Sequence, residues 1–354
     1  MTEGPPERAL LIRLSSIGDV IHTLPAFMAL RRSWPSTLLG WAVEPAAAPL
    51  VQRLPGPLLV HVLDTQRWRQ AWCSRRTVAE MRGSFTFLRR QRYELALDFQ
   101  GLLKSAVVGA LSGAPIIGYA RANLREPLAA RFYRTSAKEV RRNAHVIRLA
   151  TALAEAAGVC AGELCFPPLT DRDDEAYVDA RLHKLGVKRF MIIHAASNWP
   201  SKRWPPLRFA GLGRALIRRT GLSLLWTWGP GERSQVEALA TRTGNRSHLA
   251  FPTTLTQLAA LLSRASLFVG GDSAPLHLAA ACETPVVGLF GPTDPSRNGS
   301  WSAQDSAVFT RLPCSFCHQR RCPIGTRQCL QELSIEAVAG AAEARLQAPL
   351  ARTG

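Results

Sequence analysis

Residues 13–25, Arg-Leu-Ser-Ser-Ile-Gly-Asp-Val-Ile-His-Thr-Leu-Pro, combine side chains and spacing suited to chemistry. They follow the apolar run from Ala9 to Ile12 and precede apolar positions at Ala26, Met28, Ala29 and Leu30. That pattern predicts a buried strand, a tight polar turn and a helix opening. Ser15, Ser16 and the Asp19 carboxylate then stand at the carboxyl end of a first strand, where open α/β sheets hold their ligands. Gly18 lets the backbone come close to a bound molecule. Asp19 suits two roles that can coexist, a helix cap and a general base.

Three later loops carry comparable signals. After a predicted strand at 189–194 comes His-Ala-Ala-Ser-Asn-Trp-Pro-Ser-Lys-Arg-Trp-Pro, residues 194–205. Its small residues, Ser197 among them, permit close backbone approach, and Lys202 supplies a point charge suited to phosphate. Glu232 follows Trp228-Gly229-Pro230-Gly231 at a helix start. It could hold ribose hydroxyls or merely favour the helix dipole. The third loop, Gly270-Gly271-Asp272-Ser273-Ala274-Pro275-Leu276-His277, runs from a strand end into a helix with Pro275 near its first turn. Asp272, Ser273 and the backbone at Ala274 would face an anion or a sugar. His277 fits either a phosphate contact or the core. Such loops at successive strand ends point to a nucleotide site.

Cysteines form a separate cluster, Cys314-x2-Cys317-x4-Cys322-x6-Cys329, with His318 as a spare ligand. The spacing fits a structural zinc or iron–sulfur site, and equally reduced thiols in a turn-rich loop. Cys73, Cys160, Cys165 and Cys282 read as buried or half-buried thiols.

The elements that must position these residues alternate between strand and helix. Strands are predicted at 9–13, 38–43, 58–63, 94–98 and 115–119, with helices at 19–32, 46–54, 77–91 and 101–112 and a long helix at 143–158. A polar, acid-rich linker leads into a helix at 173–185. The Asp171-Arg172-Asp173-Asp174 run there reads as a solvated helix start. Alternation then resumes, with strands at 189–194, 222–228, 248–250, 266–270 and 285–290 and a last helix at 333–346. Apolar strands between helices mean parallel sheets covered on both faces. The expected fold is α/β, with two Rossmann-like parallel-sheet domains facing across a cleft. The first domain spans 1–166, a linker and leading helix 167–186, and the second 187–354.

Composition agrees with that division. At 354 residues and 47% apolar, each half can bury a core. No apolar run reaches the ~18 residues that a membrane span requires. No signal-like apolar segment follows the amino terminus, so a cytoplasmic protein is expected. The net charge is +18, and residues 1–165 carry 22 basic against 12 acidic side chains. The densest stretch, Arg67 to Arg92, holds eight arginines and one acid among Trp68, Trp72, Phe85 and Phe87. Anionic small molecules, an anionic membrane surface or nucleic acid would suit that balance, as would a plain solvated basic face.

The motif at 13–25 resembles the amino-terminal motif of glycosyltransferase family 9, the lipopolysaccharide heptosyltransferases. Gly271-Asp272-Ser273 with His277, and Leu289-Phe290-Gly291-Pro292-Thr293-Asp294-Pro295, resemble its carboxyl-terminal motif. The cysteine stretch is also similar to one in many members. Asp98-x-Gln100-Gly101-Leu102-x-Lys104-Ser105, Arg125-Glu126-Pro127-Leu128-Ala129 and Arg67-Trp68-Arg69-x-Ala71-Trp72 resemble type I more than type II enzymes. Ala274 departs from the family's usual glycine, and the cysteine stretch is more typical of type II.

The resemblance implies a GT-B fold and an inverting, metal-independent transfer of heptose from ADP-heptose to the Kdo of Kdo-lipid A. Asp19 would be the catalytic base. Ser197, Lys202, Glu232, Asp272, Ser273, Ala274 and His277 would bind the donor. Ser15, Ser16, Gly18, Arg67, Arg69, Lys104 and Arg125 would bind the acceptor. A monomer at the anionic inner leaflet, with no nucleic-acid partner, is expected, and domain closure would exclude water. Type II or another family 9 acceptor is the alternative within the family. A nucleic-acid- or membrane-binding module with a cysteine knuckle is the alternative outside it.

Overall fold

The computed structural model describes residues 4–348, so the outermost ends of both predicted domains, 1–3 and 349–354, lie outside the described residues. The chain divides into two compact units between Leu169 and Thr170. The first unit contains β1 (Arg8–Ile12), α1 (Ile17–Ser33), β2 (Leu38–Val43), α2 (Ala48–Val51), β3 (Leu58–Val62) and α3 (Thr65–Gln70). It continues through α4 (Arg75–Arg90), β4 (Leu95–Asp98), α5 (Leu103–Ser112), β5 (Ile116–Gly118), β6 (Thr135–Ser136) and α6 (Val146–Ala156). Its six strands are parallel, in the order β3-β2-β1-β4-β5-β6.

The second unit contains α7 (Arg172–Leu185), β7 (Phe190–His194), α8 (Pro206–Thr220), β8 (Ser223–Thr227), α9 (Arg233–Thr243), β9 (Ser247–Leu249) and α10 (Leu255–Leu262). Then come β10 (Leu267–Gly271), α11 (Ala274–Ala281), β11 (Val286–Leu289), α12 (Pro295–Asn298), β12 (Ser306–Val308), α13 (Gln328–Gln331) and α14 (Ile335–Gln347). Its parallel sheet has the order β9-β8-β7-β10-β11-β12, the same winding as the first. Both units are therefore doubly wound Rossmann-like sheets.

Local chemistry explains the main boundaries. Asp171 caps α7 by accepting from the Asp174 amide, and Gly186 ends that helix in the left-handed region (φ 67°). The acidic run is thus a helix start, but Asp174 is buried and accepts from Thr256 rather than facing solvent. Helix α7 packs on α10, so it belongs with the second unit and not with a separate linker. The predicted helix at 46–54 shrinks to α2, and the long helix at 143–158 begins only after His145, whose ring accepts from the Ile147 amide. The pattern missed α3, β6, α12, β12 and α13, all of six residues or fewer and too short to show a period.

Each sheet buries its own core. In the first unit, Leu10, Ile12, Ala42, Ala96 and Ile116 meet Trp68, Leu88 and Val108 from the covering helices. In the second, Met191, Ile193, Leu224, Trp226, Leu267 and Val287 meet Trp204, Phe209, Leu212 and Val338.

One buried histidine gives the first unit a pH signature. His61 on β3 is 4% exposed, lies 2.6 Å from the Tyr93 hydroxyl and packs against the Phe87 ring. Burial holds its pKa down at about 4. The unfolded chain binds this proton near the usual value of about 6.5, so stability is complete above that pH and falls as pH drops toward 4. The full loss is about 3 kcal/mol. Urea denaturation at about pH 7 and about pH 4.5 should show it, and His61→Phe should flatten that part of the pH slope. An unchanged slope in the variant would assign the pH effect to other groups.

Candidate active site

In a doubly wound sheet, the strands at the centre send their following helices to opposite faces, and ligands sit at the carboxyl ends there. In the first unit this place lies between β1 and β4. The loop after β1 carries Arg13 to Ser16 and opens α1, with Gly18 buried in the first turn. Asp19 Oδ2 accepts from the Ser16 amide and the Ser16 hydroxyl, each at 3.0 Å. Its other oxygen pairs with Arg13 Nη2 at 2.7 Å. Ser16 is thus the N-cap, and Asp19, three residues on, completes a capping box rather than capping the helix itself; its side chain keeps 39% of its surface exposed.

The loop after β4 supports this turn. Gln100 Oε1 accepts from the Leu14 amide at 2.8 Å and the Ser15 amide at 3.4 Å. Arg13 also donates to the Phe99 carbonyl. Gln100 is itself held by Asp98, which accepts from the Gln100 and Gly101 amides, Ser105 and Tyr133. Burial pushes the Asp98 carboxyl up, against these four bonds that favour its charge. Lys104, near the start of α5, reaches Glu44 Oε1 at 3.1 Å and Ser15 Oγ at 3.5 Å. Glu44 is buried at the end of β2 and also accepts from Thr65 and Gln66 at the start of α3.

The structure thus gathers Ser15, Ser16, Gly18, Asp19 and Lys104. The Arg67 guanidinium pairs with Glu80 and Asp64, which ties α3 to α4. Trp68 is a core residue whose indole donates to Glu80. Arg69 and Arg125 are exposed, and Arg125 precedes Glu126, which accepts from the Leu103 amide beside Lys104. Arg13, Glu44 and Gln100 were not assigned from sequence. Each stands just past a strand's carboxyl end, and that signal could have found them.

The corresponding place in the second unit lies between β7 and β10. Here Lys202 Nζ contacts Asp272 Oδ2 at 2.6 Å and lies 4.6 Å from the Trp199 ring centroid. His277 Nε2 lies 3.1 Å from Asp272 Oδ1. Burial alone would push the Asp272 carboxyl up, but the bonds and charges of His277 and Lys202 outweigh it and hold it well below the usual range. His277 is buried and steadies Asp272. Ser273 is the residue before α11, Ala274 its first residue, and the Ser273 hydroxyl donates back to Gly271. Buried Ser197 accepts from the Trp199 amide and shapes the loop that leads to Lys202.

Glu232 folds back to accept from the Gly229 amide at 2.7 Å and lies near His194, whose pKa is lowered by burial. His194 itself bonds Thr227 at the sheet end.

The cysteine loop joins this second site. Ser201 donates to the Gln319 carbonyl, the Arg320 carbonyl accepts from the Ser201 amide, and Arg327 reaches the Pro200 carbonyl. Cys314, Cys317, Cys322 and Cys329 line one small cavity with Ser201, and all four are free thiols. Among the described residues, no group of three or more His, Cys, Asp or Glu is placed to hold a metal ion. The structure brings the four cysteines that spacing had grouped around this one cavity. His318 sits against Pro292, its amide donating to that carbonyl, and burial lowers its pKa. Cys73 and Cys160 are exposed rather than buried, while Cys165 and Cys282 are half-buried.

The sequence profile of glycosyltransferase family 9 (heptosyltransferase) matches residues 82–327. The chain belongs to this family. It is 32% identical to lipopolysaccharide heptosyltransferase 1 of Pseudomonas aeruginosa over 318 residues, covering 89% of this chain and 87% of the relative. It is 29% identical to lipopolysaccharide heptosyltransferase 1 of Escherichia coli K12, covering 83% of this chain and 91% of the relative. The structure of E. coli heptosyltransferase WaaC with ADP superposes with a TM-score of 0.78 at 25% identity, covering 96% of this chain and 99% of that one. The family 9 chain is thus a glycosyltransferase.

The Asp272 pairing is open to a direct test. Asp272→Asn keeps the shape but leaves the half-buried Lys202 ammonium uncompensated. Removing one partner of such a pair costs about 3 kcal/mol, which urea denaturation would read. A loss below about 1 kcal/mol would mean that solvent already screens the pair.

Proposed function

We propose that this family 9 enzyme transfers heptose from ADP-heptose to the Kdo residue of the lipopolysaccharide inner core, with inversion and without a metal ion. The carrying observation is the pair of strand-end sites: a partly exposed carboxylate in one unit and a lysine–aspartate pair beside a helix start in the other. Relatives named lipopolysaccharide heptosyltransferase 1, matched over most of their length, support the donor and acceptor class. A WaaC structure holding ADP-2-deoxy-2-fluoro heptose supports the donor.

Asp19 takes the proton from the acceptor hydroxyl as its oxygen attacks the anomeric carbon. The bond from that carbon to the diphosphate breaks in the same displacement, which inverts the centre and releases ADP. Lys202 receives the developing phosphate charge. An ammonium has three donors, and its bond to Asp272 uses one. Backbone amides at Ser273 and Ala274, at the start of α11, add to that stabilisation. Asp272 and Glu232 hold heptose and ribose hydroxyls. Lys104, Arg67, Arg69 and Arg125 receive the acceptor's carboxylate and phosphates, and Ser15 and Ser16 position its sugar.

Transfer is read as ADP release with and without Kdo-lipid A. Release that depends on Kdo-lipid A supports the type I reading. Release only with an already heptosylated acceptor moves the enzyme to type II, and silence with both overturns the proposed donor and acceptor.

Asp19→Asn separates base from cap, because the amide oxygen still accepts from Ser16. Its turnover should fall by about 10²- to 10⁴-fold, with a small drop in melting temperature because the pair with Arg13 loses its carboxylate charge. Full turnover would remove the base assignment. Lys104→Ala should mainly raise the acceptor KM; an effect confined to the ADP-heptose KM would place Lys104 with the donor.

A further inference from the structure

Large apolar side chains are exposed unevenly over this chain. Of the ten that stand out from the surface among the described residues, eight belong to the first unit. Three of them, Leu103, Val107 and Leu111, lie at i, i+4 and i+8 on α5. That spacing puts them in one stripe on a single helix face, about 12 Å long. The opposite face, with Ser105, Ala106, Val108, Gly109 and Ser112, is buried. Beside α5 packs the 3-10 turn Pro127–Phe132, tied to it by the Leu103 amide donating to Glu126. This turn exposes Leu128 and Phe132, and Leu128 keeps 55% of its surface in solvent.

The rim is cationic. Arg121, Arg125, Arg131 and Arg134 are exposed around the turn, and Arg89 of α4 comes to the end of α5 at Gly113. Between residues 75 and 134 there are eleven Lys or Arg against four acids, and one of those acids, Asp98, is buried. An apolar stripe within an arginine rim matches an anionic bilayer, where side chains enter the acyl boundary and guanidiniums meet lipid phosphates. No described helix is long and apolar enough to cross a membrane, so any attachment by these residues is to a surface.

We infer that the outer face of α5 with the adjoining Pro127–Phe132 turn docks the enzyme on an anionic phospholipid bilayer. The inference rests on the proposed lipid-linked acceptor, because the stripe begins at Leu103, next to Lys104 of the acceptor site. Docking there brings that site to the headgroup layer where the acceptor sugar stands.

The test is sedimentation of the full chain with vesicles of phosphatidylethanolamine and phosphatidylglycerol, against vesicles of phosphatidylcholine alone. Neither donor nor acceptor is added. The chain should sediment with the anionic vesicles only, and high salt should release it. Val107→Glu with Leu111→Glu should weaken partitioning by about tenfold or more. Arg131→Gln with Arg134→Gln should weaken it by about fivefold per arginine. If the glutamate variant melts early, the arginine variant, altered only at exposed positions, decides.

Equal sedimentation with both vesicle types would overturn the inference, as would wild-type binding by the folded variants. So would a self-association that the glutamates abolish while vesicle binding persists, which would make this face a contact between copies. Vesicle binding without acceptor-dependent ADP release would overturn the transfer reading and leave the docking face standing.

Discussion

Both sites depend on one topological constraint. In each sheet the second strand crosses to one side of the first and the fourth to the other, giving β3-β2-β1-β4 in one unit and β9-β8-β7-β10 in the next. Helices that follow the two central strands must leave on opposite faces, which opens a crevice over their carboxyl ends. The polar groups there find partners in each other and in what binds. Arg13, Asp19 and Gln100 occupy this place in one unit, and Lys202, Asp272 and Ser273 in the other. Their neighbourhood follows from strand order before any side chain is considered.

Given that placement, the sites are built from charge pairs within the chain. Asp19 faces Arg13, Glu44 faces Lys104, and Asp272 faces Lys202 and His277. Each pair fixes a long side chain in one position, so less side-chain entropy remains to be lost when a ligand arrives. The degree of burial differs between them: Asp272 is nearly fully enclosed, whereas Asp19 keeps a solvent-facing edge. Electrostatics made in advance cost no reorganisation during reaction.

Much of this was legible in the chain. The strand–turn–helix pattern around Asp19 and the loops at Lys202 and Asp272 followed from apolar runs ending in small and charged residues, and each stands at a strand end in the structure. The pairings were not legible, because contacts such as Gln100 with Leu14 or Glu44 with Lys104 join residues 86 and 60 positions apart. Nor could spacing tell that Arg67 would turn to Glu80, since helix α3 is too short to show a period. The exposed thiols Cys73 and Cys160 show the same limit, because type alone does not decide burial.

The cysteine segment carries a load that its spacing did not suggest. Two of its carbonyls accept from Ser201, and Arg327 reaches Pro200, so it braces the short turn that ends at Lys202. The Cys329 thiol is pushed up by burial and then by its three neighbouring thiols, Cys314, Cys317 and Cys322. Gly291 lies so near Cys329 and Leu330 that a Cβ there would come within 2.9 Å of both. The segment's close packing against the Gly291–Pro292 turn therefore rests on glycine at that point. A loop held this way transmits its shape to the turn at Lys202 through the bonds at Ser201 and Pro200.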